Sequence, residues 1–439
     1  MRLCTKSKKP IYVQDVNGGI SYTRTLLSPF YVADREKFAK MTGRGSTVPL
    51  DNYLGIVTLP FEMTYSMMAR TAIYGIEARS FSAASAQLKQ EGYERVSTSK
   101  VDKVCEVVGQ AIWDYYKARA AKVKARIESG IKIGPANADI HQMSSLDPEK
   151  VLFIFVDGHT SYIRRYSTGK YDINDGGKCG CDCRVAIAFK LSDCSIEYDE
   201  KGGESIRINI KNKDCVALIG PKDYFRYYVG DLALRNGADQ CDLIAAFTDG
   251  ADWLHNMMDE LFCSYVHVRD LWHVKECIGE FCKALFPDNP NKGSQLADSL
   301  CALVEQGKID EYLEMLEPYK DCSMNYNGNK LVNPYTYVSE RRDGMEYALY
   351  KSLGLPVGSG PIESTNKIFH RRMRVTGALW AKQKANRMVM LIAANEAGGE
   401  KLITEILYAM KEHLIDIKAQ ISKEGIHRKY SKHSKEENA

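Results

Sequence analysis

Three acidic residues, Asp157, Asp249 and Glu363, stand where a folded chain can bring them together for metal chemistry. Asp157 follows the apolar run 151–156 (VLFIFV), Asp249 follows 242–248 (DLIAAFT), and each is followed by glycine. In open α/β sheets ligands bind beyond the carboxyl ends of the strands, where both Asp-Gly pairs fall. Glu363 opens a helical segment after the loop 354–361 (GLPVGSGP). The separations, 249 − 157 = 92 and 363 − 249 = 114 residues, exclude a local turn as the link, so only a tertiary fold can unite the three. Carboxylates suit hard divalent ions, and Mg²⁺ keeps enough of its waters that two or three of them suffice. Two such ions about 4 Å apart serve phosphodiester hydrolysis and strand transfer, one at the attacking and one at the leaving oxygen. The trio therefore predicts Mg²⁺, with Mn²⁺ as a substitute. A lone Asp-Gly is more often just a turn. Two of them ending buried runs, with a Glu on a basic helix after them, are far more specific.

Charge distribution points the same way. Sixty basic against fifty-six acidic residues leave a net +4, which says little by itself. Over 351–390, however, eight Lys or Arg face a single acid, Glu363, for a local 8 − 1 = +7. Lys367, Arg371 and Arg374 follow Glu363 at +4, +8 and +11, one helical face, with Arg372 and Lys382 in the same stretch. A face that joins a metal-binding acid to several cations suits a DNA backbone, whose phosphates position a duplex. A second basic run, Lys117, Arg119, Lys122 and Lys124, closes the N-terminal region. For that run a solvated helix face is an equal reading.

The chain of 439 residues is long enough for two or three domains. Residues 1–48 are polar and weakly patterned, an N-terminal arm. Residues 49–148 carry helical signals and end in a linker rich in breakers. There, 80–92 closes on Gly92, and the next segment places Val101, Val104, Cys105 and Val108 on one face after the N-cap candidate Ser97. Two helices joined by a short turn outline a helix-turn-helix, or an ordinary helical hairpin. From 149 to 273 the pattern predicts strands at 151–156, 161–166 and 184–189, a helix at 224–235, a strand at 242–248, a helix at 253–262 and a strand at 265–268. That order is the order of an RNase H-like α/β core, a mixed sheet with helices on both faces. Residues 274–350 read as a helical insertion, 351–398 as the last part of the core, and 399–439 as a helix with a charged tail.

Thirteen cysteines and no secretory segment predict reduced thiols in the cytoplasm, near the nucleoid for a DNA-binding chain. No apolar run approaches the roughly 20 residues of a membrane span. Cys179, Cys181 and Cys183 alternate over 178–183, a candidate for Zn²⁺ or one side of a hairpin. His159, two residues past Asp157, is a candidate to orient a phosphate or water, or a hydrogen-bonded strand residue.

The segments FVDGH around Asp157, FTDGADW around Asp249 and GSGPIESTNKIFHRRMRVTGALW around Glu363 resemble the DDE transposases of bacterial insertion sequences, in the broad mutator-like group. The likeness spans roughly 48–395, including PLDNYLGI and SFSAASAQL near the start. It implies that Asp157, Asp249 and Glu363 are the metal ligands of a transposase that binds terminal inverted repeats, cleaves a strand and transfers it. It implies double-stranded DNA as partner and a homodimer or larger assembly. The family's Cys- or Asp-x-x-His signature falls on Asp270 and His273, which become a pair supporting the active site or the DNA ends. Trp253 and Trp380 match family aromatics but read more readily as core residues. The chain departs from many relatives in lacking an N-terminal zinc ribbon, with only Cys4 in that region. Three alternatives remain open: a structure-selective Mg²⁺-dependent nuclease on the same fold, a domesticated protein that binds DNA without cutting it, and a zinc-dependent interaction module built on the Cys179–Cys183 cluster.

Overall fold

The computed structural model of the chain describes residues 3–29, 59–164, 178–198, 206–326, 329–375 and 379–424. They form two compact units, one of Met1–Tyr116, Tyr162–Cys179 and Arg371–Ala439, the other of Lys117–Ser161 and Gly180–His370.

The first unit opens with a hairpin, β1 (Leu3–Asp15) against β2 (Gly18–Pro29), where a polar arm was expected. Gly18, at φ +129°, supplies the turn conformation that side chains resist. Ile11 and Val13 bury their side chains, a stripe too short to stand out in the sequence. Three helices follow, α1 (Tyr65–Glu77), α2 (Phe81–Gln90) and α3 (Thr98–Glu128). Thr64 and Ser80 cap α1 and α2 by accepting the amides of Met67 and Ala83. Along α3, the expected face of Val101, Val104, Cys105 and Val108 is fully buried, and the helix runs unbroken through the basic stretch.

The second unit holds a five-stranded mixed sheet, apart from the far ends of its first two strands. Its strands are β3 (Val151–Arg164), β4 (Lys178–Lys190), β7 (Asp214–Ile219), β8 (Leu243–Thr248) and β9 (Val266–Arg269), in the order β7-β4-β3-β8-β9. A separate pair, β5 (Cys194–Tyr198) and β6 (Ile206–Ile210), lies between β4 and β7 in the chain. β3, β8 and β9 run parallel, while β4 and β7 pair antiparallel. Two expectations are corrected here. Segments 151–156 and 161–166 are not two strands; β3 runs from the first into the second as far as Arg164, and 165–166 lie outside the described residues. The third strand is instead 214–219, an apolar run buried on both faces. Phe155 stacks on Phe247 with ring centroids 4.1 Å apart, and Phe153 meets Phe189 and Phe247 edge-on, so the middle of the sheet is a dry aromatic cluster.

Helix α4 (Lys222–Arg235) precedes β8, and α5 (Asp252–Leu261) joins β8 to β9. The expected helical insertion is α6 (Leu271–Leu285), α7 (Pro290–Glu305), α8 (Ile309–Leu316), α9 (Pro334–Ser339) and α10 (Tyr347–Ser352). The expected linker before β3 is packed, with Ile133 buried and bridged to Phe262. Helix α11 (Gly360–Met373) carries Glu363. Helix α12 (Lys382–Ala409) returns to the first unit, where its middle is buried and Gly399 at φ +59° kinks it. There the Arg387 guanidinium is 1% exposed and meets Gln110 Oε1 at 2.8 Å, Glu106 at 3.1 Å and Glu424 at 3.0 Å. A Cβ on Gly109 of α3 would lie 2.4 Å from the Arg387 carbonyl oxygen, so only glycine lets these two helices approach. The expected charged tail lies, from residue 425, outside the described residues. No helix among the described residues is long and apolar enough to cross a membrane.

Candidate active site

Strand register brings the two aspartates together. Val151 pairs with Leu243 and Phe155 with Phe247, an offset of 243 − 151 = 92 residues. The same offset, carried two residues past the last pair, sets Asp157 level with Asp249. Asp249 lies just past the end of β8, and its charge bears on Asp157 of the adjacent strand. Their local backbones differ, however. Asp249 ends its strand as expected: Gly250 turns at φ +87°, and a Cβ there would lie 2.3 Å from the Tyr337 hydroxyl oxygen. Asp249 Oδ1 accepts the Ala251 amide at 2.9 Å, which closes the turn. Asp157 does not end its strand, because Gly158 continues β3. What ends there is burial on both faces. Residues 151–156 are all buried, and from Asp157 onward burial alternates. Asp157, His159, Ser161 and Ile163 share the covered face.

Helix α11 is pinned to both aspartate strands by Asn366 and Ser359, which the sequence reading does not pick out, and by Asp270, which it does. Asn366, one helical turn after Glu363 and 6% exposed, donates from Nδ2 to Asp157 Oδ2 at 2.7 Å. Ser359 Oγ, just before the helix, donates to Glu363 Oε1 at 2.6 Å. The Ser359 amide donates in turn to Asp270 Oδ2 at 3.0 Å. Asp270 is 4% exposed, its Oδ1 accepts the Trp272 amide at 2.7 Å to cap α6, and its own amide donates to the Thr248 carbonyl at 3.0 Å. The end of β8 is therefore connected through Asp270 and Ser359 to the Glu363 carboxylate. Helical phase was the available signal, since 359, 363 and 366 are spaced by 4 and 3 residues.

The electrostatics record the convergence. Burial pushes the Asp157 carboxyl above its ordinary pKa; the Gly158 N–H opposes this, Asp249 and Glu363 add to it, and His273 relieves it. Asp249, Glu363 and His273 thus all lie within electrostatic range of Asp157. Three carboxylates near one another, one raised by burial and like charge, form a donor set of hard oxygens that suits Mg²⁺. His273 is half-exposed, with Nδ1 3.5 Å from Glu276. The His159 ring packs on His370 (centroids 4.5 Å) and Phe369 (6.0 Å).

The basic candidates divide. Lys367, Arg371, Arg374, Lys382, Lys117 and Lys122 are exposed. Arg374 falls in a turn just past the end of α11, so the shared helical face does not extend to it. Lys124 pairs with Glu128 at 3.6 Å. Two expectations are corrected. Arg372 is 4% exposed, donates to the Gly75 carbonyl at 2.9 Å and lies over the Phe81 and Trp380 rings, so its charge is withdrawn from solvent. Arg119 is held by both oxygens of the buried Asp231, at 2.8 and 3.1 Å. Trp380 is buried, as a core reading expects. Cys179, Cys181 and Cys183 lie at alternate positions of β4, where an extended strand spaces them by about 7 Å, wider than thiolates around one ion.

No family model matches this chain, and no curated protein does. Among solved structures it is similar to a chain of the Drosophila P element transposase strand transfer complex. That likeness has a TM-score of 0.28 and 11% identity, over 71% of this chain and 95% of the other. A likeness of that size decides neither fold in detail nor function, and the functional assignment rests on this chain's own geometry.

Proposed function

We propose that the chain is a transposase of the insertion-sequence type, a DNA strand-cleaving and strand-transferring enzyme with Asp157, Asp249 and Glu363 as its metal ligands. One observation carries the reading: two aspartates level on adjacent central strands, with a glutamate helix fastened to both strands. The chain order of the sheet, third-second-first-fourth-fifth, supports an RNase H-like core. A purely structural role accounts poorly for this arrangement, because gathering like charges costs folding energy unless a cation offsets it.

Mg²⁺ bound by these carboxylates would supply Lewis-acid stabilisation of the oxygens that attack and leave phosphorus. The chain's own groups do the rest. Asn366 and the Gly158 amide fix the Asp157 carboxylate, and the Ala251 amide fixes Asp249. Asp270 and Ser359 aim Glu363. Exposed Lys367 offers a contact to the DNA backbone one turn beyond Glu363. The substrate is double-stranded DNA at the inverted ends of the element, and joining two ends calls for a dimer or larger assembly.

The test is incubation of the full chain and Mg²⁺ with a labelled duplex carrying the repeats that bracket its coding sequence. The expected result is a nick with a free 3′-OH and a joined product on added target DNA, both abolished by Asp157→Ala or Glu363→Gln. Cleavage that persists unchanged in those variants overturns the assignment. Cleavage of branched DNA without joining selects the nuclease reading instead.

A further inference from the structure

On the second unit, behind the Asp249 turn, lies a cluster that this reading does not use. His255 of α5, His267 of β9 and Asp343, which follows α9, each offer a ligand atom, and these atoms all lie within 4.8 Å of one another. We propose that His255, His267 and Asp343 form a structural Zn²⁺ site that fastens the end of the helical insertion to the core beside Asp249.

The geometry fits the ion. Two ligand atoms on a tetrahedral zinc with bonds of ~2.0 Å lie about 3.3 Å apart. His267 Nδ1 and Asp343 Oδ2 are 3.3 Å apart. The two imidazole centroids are 5.1 Å apart with planes 22° from parallel. Rings that direct in-plane lone pairs at one tetrahedral ion have centroids separated by about 5 Å. Each Nε2 has an oxygen partner, Thr248 Oγ1 at 2.9 Å from His267 and Asp259 Oδ2 at 3.4 Å from His255, while His255 Nδ1 is 3.3 Å from the Tyr265 hydroxyl, which a metal would displace. Zinc-binding histidines are held this way, one ring nitrogen on an outer oxygen and the other on the metal.

The surrounding charges are compatible. Arg269 Nη2 contacts both Asp343 oxygens at 3.3–3.4 Å, long distances that leave the carboxylate able to shift toward a metal. The Asp343 side chain is half-exposed, so water can reach the fourth position. Two imidazoles, which are borderline donors, outnumber the one hard carboxylate, which favours Zn²⁺ over Mg²⁺. The consequence for the site is mechanical. Arg269 donates to the Asp343 carbonyl at 2.9 Å and reaches the Gly250 carbonyl at 3.5 Å, so fixing Asp343 also fixes the turn behind Asp249.

The experiment is elemental analysis of the full-length, tag-free protein, with a chelator-dependent thermal melt. We expect about one zinc per chain, retained in Glu363→Gln and in the triple Cys179→Ser, Cys181→Ser, Cys183→Ser variant. It is lost in His255→Gln and in Asp343→Asn, both at positions exposed enough to leave the core packed. Chelator should lower the wild-type Tm and leave that of Asp343→Asn unchanged. Co²⁺ in place of zinc should give tetrahedral visible bands without thiolate charge transfer. The proposal is overturned if the protein neither contains nor takes up zinc. It is equally overturned if the metal survives His255→Gln and Asp343→Asn, or leaves with the cysteines. None of these results bears on the carboxylate trio, whose test is strand cleavage.

Discussion

Two buried charged clusters in this protein obey opposite rules. In the first unit, Arg387 and Lys384 on α12 are enclosed by acids, two from α3 and one, Glu424, from beyond α12. Arg387 meets Glu106, Gln110 and Glu424, and Lys384 pairs with Asp102 and Glu106. Burial opposes the Lys384 charge, but Glu106 and Asp102 outweigh it and raise its pKa. In the second unit burial again opposes a charge, that of Asp157, and its neighbours Asp249 and Glu363 make matters worse. The first cluster balances its charge within the chain and holds a fold together. The second leaves negative charge to be balanced from outside. That difference, more than any single residue, is why we propose the second as the functional site.

Breaking each cluster should therefore have opposite consequences. Removing a carboxylate should remove chemistry and leave the fold intact: Asp249→Ala or Glu363→Gln is expected to lower strand cleavage by about 10³-fold or more, with little change in Tm. A denaturation midpoint that fell with activity would make the trio structural. Removing the balanced cation should do the reverse. Arg387→Met takes the guanidinium from the part-buried Glu424 and from Glu106, which keeps Lys384, and is expected to cost about 1–3 kcal/mol in urea unfolding, while residual folded protein cleaves normally.

The supporting residues sharpen the contrast. Ser359→Ala and Asp270→Asn loosen the connection to Glu363 without removing a ligand. Each should reduce kcat by about 10–100-fold with KM for DNA nearly unchanged. A KM effect of that size would instead place them in DNA binding. Smallest is the effect on stability of the trio's own repulsion. A carboxyl whose pKa is raised on folding stabilises the fold when protonated, and that contribution is lost as pH rises through the folded pKa. Metal-free Asp157→Asn should therefore melt slightly higher than wild type at pH 7. The gap should close as pH falls below 3.8, the ordinary carboxylate value, where Asp157 is protonated in both states. A lower Tm for Asp157→Asn at pH 7 would contradict this electrostatic picture.

Burial decides how much of the molecule was legible in the sequence. The runs before Asp157 and Asp249 are buried on both faces, so they read as continuous apolar strands. β3 then changes character at Asp157, from two covered faces to one. That switch to alternation made a single strand resemble two and left 214–219 unrecognised. The N-terminal hairpin was hidden because Lys, Ser and Thr dominate its strands. Arg372 and Arg119 read as DNA contacts because sequence shows charge but not its partner; a ring pair and a buried aspartate claim them. Ser359 and Asn366 carry no chemical signal alone and acquire one only from their helical phase with Glu363.

The central claim is that three distant carboxylates share divalent ions, and Mn²⁺ binding to the full chain, followed by electron paramagnetic resonance, tests it most directly. Wild type should take up Mn²⁺ that Mg²⁺ displaces, and Asp157→Asn, Asp249→Asn and Glu363→Gln should each lose most of it. If Glu363→Gln binds Mn²⁺ as wild type does, the glutamate is not part of the site and the claim is wrong.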